Sequence, residues 1–299
     1  MVWCPYSGIE TDSAACNSEH IIPLSLGGSN GFTVPVNAAI NAQVGSEIDA
    51  ALSTKDFLTM FRRRYFDARG HSNKVPEVKV RNATYGPDNR PAQVTLRGTE
   101  GTTLWDARER REVPEEELIG KTIQLKFTIQ PYDRIRFMAK VALSAGFAIY
   151  GNLFRDTADH ASLRTLMNAA SLEEARQVLV DSNLRGFFEY WKVPEEEMLA
   201  VQRDMAVCAT VDGSVVLAIP TDASVIFIVG ILGQWIGMLN VPATTEKYPN
   251  DDPHDLGHAV LLVDGKTEHL SYREFLRRAL EILTGEPIPQ PLDPSETQT

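Results

Sequence analysis

An acidic residue and a histidine stand side by side at Glu19 and His20, and an asparagine follows at Asn41. A carboxylate and an amide oxygen are hard donors that suit Mg²⁺ or Mn²⁺, with water filling the remaining positions. A neutral imidazole beside such an ion can take a proton from an attacking water, because its pKa lies near working pH. The ion would stabilise charge on a phosphate and on the leaving oxygen. These residue types suit phosphodiester hydrolysis, provided the chain brings them to one place.

The surrounding sequence supplies elements that could do so. Residues 18–22 read as a short strand. Neighbours on a regular strand face opposite ways, so a strand that ends or bends here is needed to aim both Glu19 and His20 at one site. Pro23 has no backbone N–H and stops regular pairing. Gly27, Gly28 and the Ser29, Asn30, Gly31 run are turn chemistry. Residues 32–36 return as a second strand, and Asn37 is placed to cap a helix. Behind it, Ile40, Val44, Ile48 and Leu52 recur every four residues and form one apolar helix face. Asn41 lies one step round from Ile40, at the edge of that face. The order is strand, loop, strand, helix.

Glu-His-Ile-Ile-Pro at residues 19–23, then Leu-Gly-Gly at 26–28 and a helix carrying Asn41, Gly45, Ile48, Asp49 and Leu52, resembles the HNH endonucleases. The resemblance covers residues 1–70. It implies a β-hairpin packed on a helix around one divalent ion, with Glu19 and Asn41 as metal ligands and His20 as the general base. Many members of the similar subgroup also hold a structural zinc with two Cys-x-x-Cys pairs. Here those positions read Cys4, Ser7, Asn37 and Ile40, so a four-ligand zinc site is lost and no structural zinc is expected. The central asparagine that orients the histidine in this family should fall near Phe32. Asn30 and Asn37 both stand close enough to take that role.

Helical pattern continues over residues 55–69, with Phe57, Leu58, Phe61 and Tyr65 as an apolar face and Arg62, Arg63 and Arg64 fanned around it. This is the densest basic patch in the chain. Phosphate contact and a solvated face weigh equally for it. The formal net charge of −11 is awkward for a nucleic-acid enzyme. Its distribution softens the conflict: residues 1–98 carry ten Lys/Arg against nine Asp/Glu, leaving 19 against 31 beyond. The motif-bearing part is close to neutral, and local charge can oppose the net. Cys4, Cys16 and Cys208 are too few and scattered for a disulfide framework, which points to a reducing compartment. No secretory signal pattern opens the chain.

Residues 77–85, 93–97 and 122–129 read as strands, and residues 134–150, 163–169 and 172–180 as helices. Residues 206–211, 215–219 and 259–263 read as strands, and 271–283 as a capped helix. The apolar run 225–239 is broken by Gly230, Gly233, Gln234 and Gly237 and is rich in β-branched residues. Two buried strands with a glycine turn fit it better than a membrane span of about 20 apolar residues. His254, His258 and His269 lie among Asp251, Asp252 and Asp255; polar loop composition explains them better than a metal site.

The expected architecture is α+β: an HNH ββα-metal unit over residues 1–70, a mixed α+β domain over 71–286, and a disordered tail over 287–299. The large domain would recognise substrate, regulate cutting, or hold a protein partner or a second copy. The expected function is a cytoplasmic, metal-dependent endonuclease acting on nucleic acid, DNA ahead of RNA, with no membrane association. Glu19 and Asn41 would bind one Mg²⁺ or Mn²⁺, His20 would be the base, and Arg62, Arg63 and Arg64 would contact nucleic acid. The competing reading is a nucleic-acid-binding or scaffold protein of the same fold without activity, motivated by the missing zinc ligands and the unassigned central asparagine.

Overall fold

The computed structural model describes residues 1–70, 72–126, 130–252 and 254–288; in the expected tail, residues 289–299 lie outside the described residues. The strands are β1 (Val2–Cys4), β2 (Ile9–Thr11), β3 (Cys16–His20), β4 (Thr33–Asn37), β5 (Val78–Tyr85), β6 (Arg90–Leu96), β7 (Thr102–Asp106), β8 (Arg111–Glu112), β9 (Ile123–Leu125), β10 (Arg185–Phe187), β11 (Ser214–Thr221), β12 (Ser224–Ile231), β13 (Gln234–Pro242), β14 (His258–Val263) and β15 (Lys266–Ser271). The helices are α1 (Ala38–Val44), α2 (Ala50–Lys55), α3 (Phe57–Arg62), α4 (Glu115–Leu118), α5 (Pro131–Tyr150), α6 (Asn152–Thr157), α7 (His160–Met167), α8 (Leu172–Asp181), α9 (Glu195–Ala209) and α10 (Tyr272–Thr284). The fold is mixed α+β.

β3 and β4 pair antiparallel, with Glu19 opposite Val34 and His20 opposite Thr33. Regular pairing stops at His20 because Ile21 and Ile22 both turn into the core, where neither has any exposed surface. Asn37 caps α1 as expected, accepting hydrogen bonds from the backbone N–H groups of Ala39 and Ile40. α1 passes through a π turn, Gly45–Asp49, into α2. That turn has a sequence cause. Apolar residues spaced strictly by four drift around a helix of about 3.6 residues per turn, and one wider turn takes up the drift. Val44, Ile48 and Leu52 are all buried and Ile40 packs against the same cluster.

Six strands form the central antiparallel sheet, in the order β10-β13-β12-β11-β14-β15. Alternation along β11 separates two cores. Val216 and Ala218 point into the cluster that holds α5 and the ββα unit, while Val215 and Leu217 join Val201, Cys208 and Phe275 on the other side, under α9 and α10. The 225–239 run is a hairpin, β12 to β13, with Ile231 opposite Gln234. Its turn residues Leu232 and Gly233 both have positive φ, at 52° and 69°, as a two-residue primed turn requires. Among the described residues no helix is long and apolar enough to cross a membrane. A second, five-stranded sheet, β8-β7-β6-β5-β9, has its own small core around Val78, Val94 and Leu104.

Ile21, Phe32 and Ile48 share one apolar cluster with Phe137, Phe227 and Val229, across the expected boundary at residue 70. Two expectations need correction. The helical pattern over 55–69 breaks at Asp56, whose side chain caps α3, and regular helix ends at Arg62. Residues 206–209 belong to α9, not to a strand, because Val201, Asp204, Val207 and Cys208 make one buried helical face.

A buried ion pair ties the two halves together. Arg134 Nε of α5 lies 2.7 Å from Asp56 Oδ2, with both side chains under 5% exposed. Asp56→Ala would strand the guanidinium and remove the α3 cap. It is expected to cost about 3–5 kcal/mol, read from urea denaturation, with Asp56→Ala/Arg134→Met recovering much of the loss. Equal destabilisation in the single and double variants would show that the pair is not the cause.

Candidate functional site

His20 ends β3, and its Nε2 lies 2.8 Å from Oδ1 of Asn30. An amide oxygen only accepts, so Nε2 carries a hydrogen; in a neutral imidazole the other nitrogen, Nδ1, is then the acceptor. Asn30 is the asparagine bonded to the ring, and Asn37 is engaged in its helix cap. The loop bearing Asn30 is held by close approach of backbone. A Cβ at Gly28 would lie 1.8 Å from the Ile22 carbonyl oxygen. At Gly27, with φ +77°, it would press on Ser214 Oγ and a Leu232 methyl, both at 2.9 Å. Ser214 Oγ donates to the Leu26 carbonyl oxygen at 2.7 Å and accepts from the Leu232 N–H at 3.0 Å. Ser29 Oγ donates to the Gly265 carbonyl oxygen at 2.6 Å. The large sheet thus fixes the glycine loop from behind.

Glu19 is buried and does not stand alone. Its Oε1 lies 2.8 Å from Nζ of Lys140 and accepts a long hydrogen bond, 3.4 Å, from the Tyr6 hydroxyl. Lys140 also reaches Asp49 at 3.3 Å. Asp49 stands eight residues beyond Asn41 and four beyond Gly45, along one face of the helix. One ammonium therefore serves two carboxylates. Burial pushes the Asp49 carboxyl up to about 7; Lys140 opposes that shift and Glu19 adds to it.

Asn41 Nδ2 donates to Asn17 Oδ1 at 2.9 Å. The amide nitrogen is thereby used, and the oxygen is the atom left for a cation. Glu19, His20, Asn41 and Asp49 all line one cavity of about 300 Å³, so the helix and the strand end do bring the expected trio together. The donors facing it are carboxylate and amide oxygens, which suit Mg²⁺ or Mn²⁺. At the expected zinc positions the structure has another arrangement. Cys4 is fully buried, and its Sγ accepts the Asn37 N–H at 3.3 Å.

The three arginines do not act as one patch. Arg63 is 1% exposed and donates to the carbonyl oxygens of Ser53 and Ser25 at 3.0 and 3.1 Å, so it cannot reach a phosphate. Burial lowers its guanidinium to about 10. Arg62 donates through Nε to the Leu232 carbonyl oxygen at 2.8 Å and lies over the Phe66 ring. Arg64 alone of the three is exposed. Arg62 and the 72%-exposed Tyr65 line a groove of about 770 Å³ that shares Leu24 and Gly70 with the smaller cavity.

Of the three histidines expected in polar loops, His258 and His269 sit on β14 and β15, and His254 lies in the loop before β14. His258 Nε2 lies 2.9 Å from His269 Nδ1 across the β14–β15 pair, and His254 stacks on His258 at 4.8 Å. Asp255 pairs with Arg273 instead. Among the described residues no group of three or more His, Cys, Asp or Glu side chains is arranged to hold a metal ion.

Two residues at the site, Asp49 and Lys140, were not placed there from the sequence. Asp49 had a usable signal, its four-residue spacing from Gly45 and Asn41. Lys140 had none, being 91 residues further on. The raised Asp49 carboxyl has a definite sign. The folded state holds that proton more tightly than the unfolded chain, so stability falls as pH rises from the ordinary value of 3.8 to about 7, then levels. Asp49→Asn should flatten the slope of melting temperature against pH in that window. Parallel curves for the variant and the wild type would exclude Asp49 as its source.

No family model, no curated protein and no solved structure matches this chain.

Proposed function

We propose that the chain is an HNH-type, metal-dependent endonuclease that hydrolyses phosphodiester bonds in nucleic acid, DNA ahead of RNA. The observation that carries the reading is the 2.8 Å His20–Asn30 hydrogen bond beside a cavity that Glu19 and Asn41 also line. Asn30 keeps the Nε2–H tautomer and the ring orientation. His20 Nδ1 then takes a proton from water as the water oxygen attacks phosphorus; the bond to the leaving sugar oxygen breaks, and that oxygen is protonated from solvent. Glu19 and Asn41 would hold the divalent ion, which when bound offsets charge on the phosphate and leaving oxygen. The adjoining groove offers a track for the flanking nucleotides, with Tyr65 available for stacking on a base. Three free cysteines suit a reducing cytoplasm.

A second reading is favoured by one observation. Lys140 already neutralises Glu19, and a scaffold that binds nucleic acid without cutting would have that feature too.

The two readings separate in a nicking assay with Mg²⁺ or Mn²⁺ and a metal-free control. His20→Ala should lower cleavage by roughly 10²–10⁴-fold and leave substrate binding near wild type. Asn30→Ala should lose part of that rate, and Asn30→Asp, which keeps an acceptor for Nε2–H, should lose less. Glu19→Gln should cut poorly at low metal and recover in part as the metal is raised. A wild type that never nicks, with metal or without, leaves the scaffold reading.

Of the arginines, Arg64→Ala should flatten the salt dependence of binding by up to about 0.9 log units, one phosphate contact. An unchanged slope would return Arg64 to a solvated face.

A further inference from the structure

The ammonium of Lys140 sits in a cage of oxygens. Its Nζ lies 2.8 Å from Glu19 Oε1, 2.9 Å from the His20 carbonyl oxygen, 3.1 Å from the Ile21 carbonyl oxygen and 3.3 Å from both carboxylate oxygens of Asp49. Five oxygens surround a group with three hydrogens. The side chain has no exposed surface and enters from α5, whereas Glu19 and Asp49 also form the wall of the cavity. Without the lysine, what remains is an all-oxygen donor set with two carboxyl members, the kind that takes a hard divalent cation. The lysine also holds the backbone at His20 itself.

We propose that Lys140 is a built-in cation of the site: it positions Glu19 and the His20 end of β3 without a metal, and it competes with a divalent ion for Glu19 and Asp49. The proposal rests on the nuclease reading for the job the ion does, but not for the charge balance. A plain structural ion pair and a competing cation differ in sign. If Lys140 only supports the fold, replacing it leaves divalent binding equal or weaker. If it competes, replacing it makes divalent binding tighter, because a positive charge in contact with the two carboxylates is gone.

The test uses the full chain, Mn²⁺ alone and no nucleic acid. Calorimetric titration and thermal melting compare wild type with Lys140→Met. The expected result is Mn²⁺ affinity at least about tenfold tighter in the variant, with a larger rise in melting temperature on adding Mn²⁺. Equal or weaker binding by a folded variant overturns the proposal. If the variant folds only when refolded with Mn²⁺, that supports it. If it folds under neither condition, Lys140→Met/Asp49→Asn is compared with Asp49→Asn alone. Tighter Mn²⁺ binding by the double variant supports the proposal. Equal binding, or failure to fold with Mn²⁺ present, overturns it. A wild type that cuts nothing leaves a positive Mn²⁺ result standing, and a negative Mn²⁺ result leaves the His20–Asn30 chemistry standing.

Discussion

A single buried ammonium decides how the site is built. Lys140 lies in the middle of α5, the helix packed between the ββα unit and the central sheet, and has no exposed surface. Burying an ammonium costs several kcal/mol unless its hydrogens and charge are met. The chain meets them with Glu19, Asp49 and the carbonyl oxygens of His20 and Ile21. Among them, Glu19 and the His20 end of β3 are also what the proposed chemistry would need at the cavity. The requirement to satisfy the lysine therefore fixes the strand end, the side chain before His20 and the π turn Gly45–Asp49 in one step.

The same logic runs through the other contacts between the two halves. Asp56 meets Arg134, Arg62 meets the Leu232 carbonyl oxygen, and Ser214 meets both the Leu26 carbonyl oxygen and the Leu232 N–H. Each pairs a polar group of the first 70 residues with one of the sheet or α5, buried except at the half-buried Arg62. Apolar contact alone would let the hairpin and helix slide on the sheet. Buried directional partners do not, because a shifted register leaves them unpaired. The loop with two adjacent glycines fits only because it rests against the Ile22–Pro23 backbone on one side and against Ser214 and Leu232 on the other. The larger part of the chain holds the hairpin and the helix together from outside.

This explains which features were legible in the sequence. Asn37 as a cap, the apolar face through Leu52, the glycine-broken hairpin at 225–239 and the α+β class follow from local periodicity and turn chemistry, which act over a few residues. The positions of Glu19, His20 and Asn41 around one cavity follow from the same local pattern. Features set by distant partners were not legible. The 55–69 helix looked continuous because propensity cannot show that Asp56 is needed by Arg134 as well as by the α3 N–H groups. Three consecutive arginines look alike in a sequence. Burial separates them: Arg63 serves backbone carbonyls inside the fold, and Arg64 meets solvent. Residues 206–211 looked like a strand because valine and cysteine favour strands, whereas their spacing with Val201 puts them on one helical face.

The internal use of cations bears on what the site can hold. Lys140, Arg63 and Arg134 are buried, and Arg69 pairs with Asp67 and Glu100. The groove beside the cavity is walled by Asp67, Asp212 and Asp264 as well as by Arg62 and Arg69. Little positive charge is left facing outward near the cavity, on a chain whose formal net charge is −11. Affinity for a nucleic-acid backbone comes mainly from released counterions, in proportion to the phosphates neutralised. A site of this kind would bind duplex weakly at random and would depend on contacts to bases, through Tyr65 and the polar groove wall, to hold a substrate. On the proposed reading, selectivity would come from rejection: a nucleic acid whose bases cannot enter the groove would have too few phosphate contacts to stay.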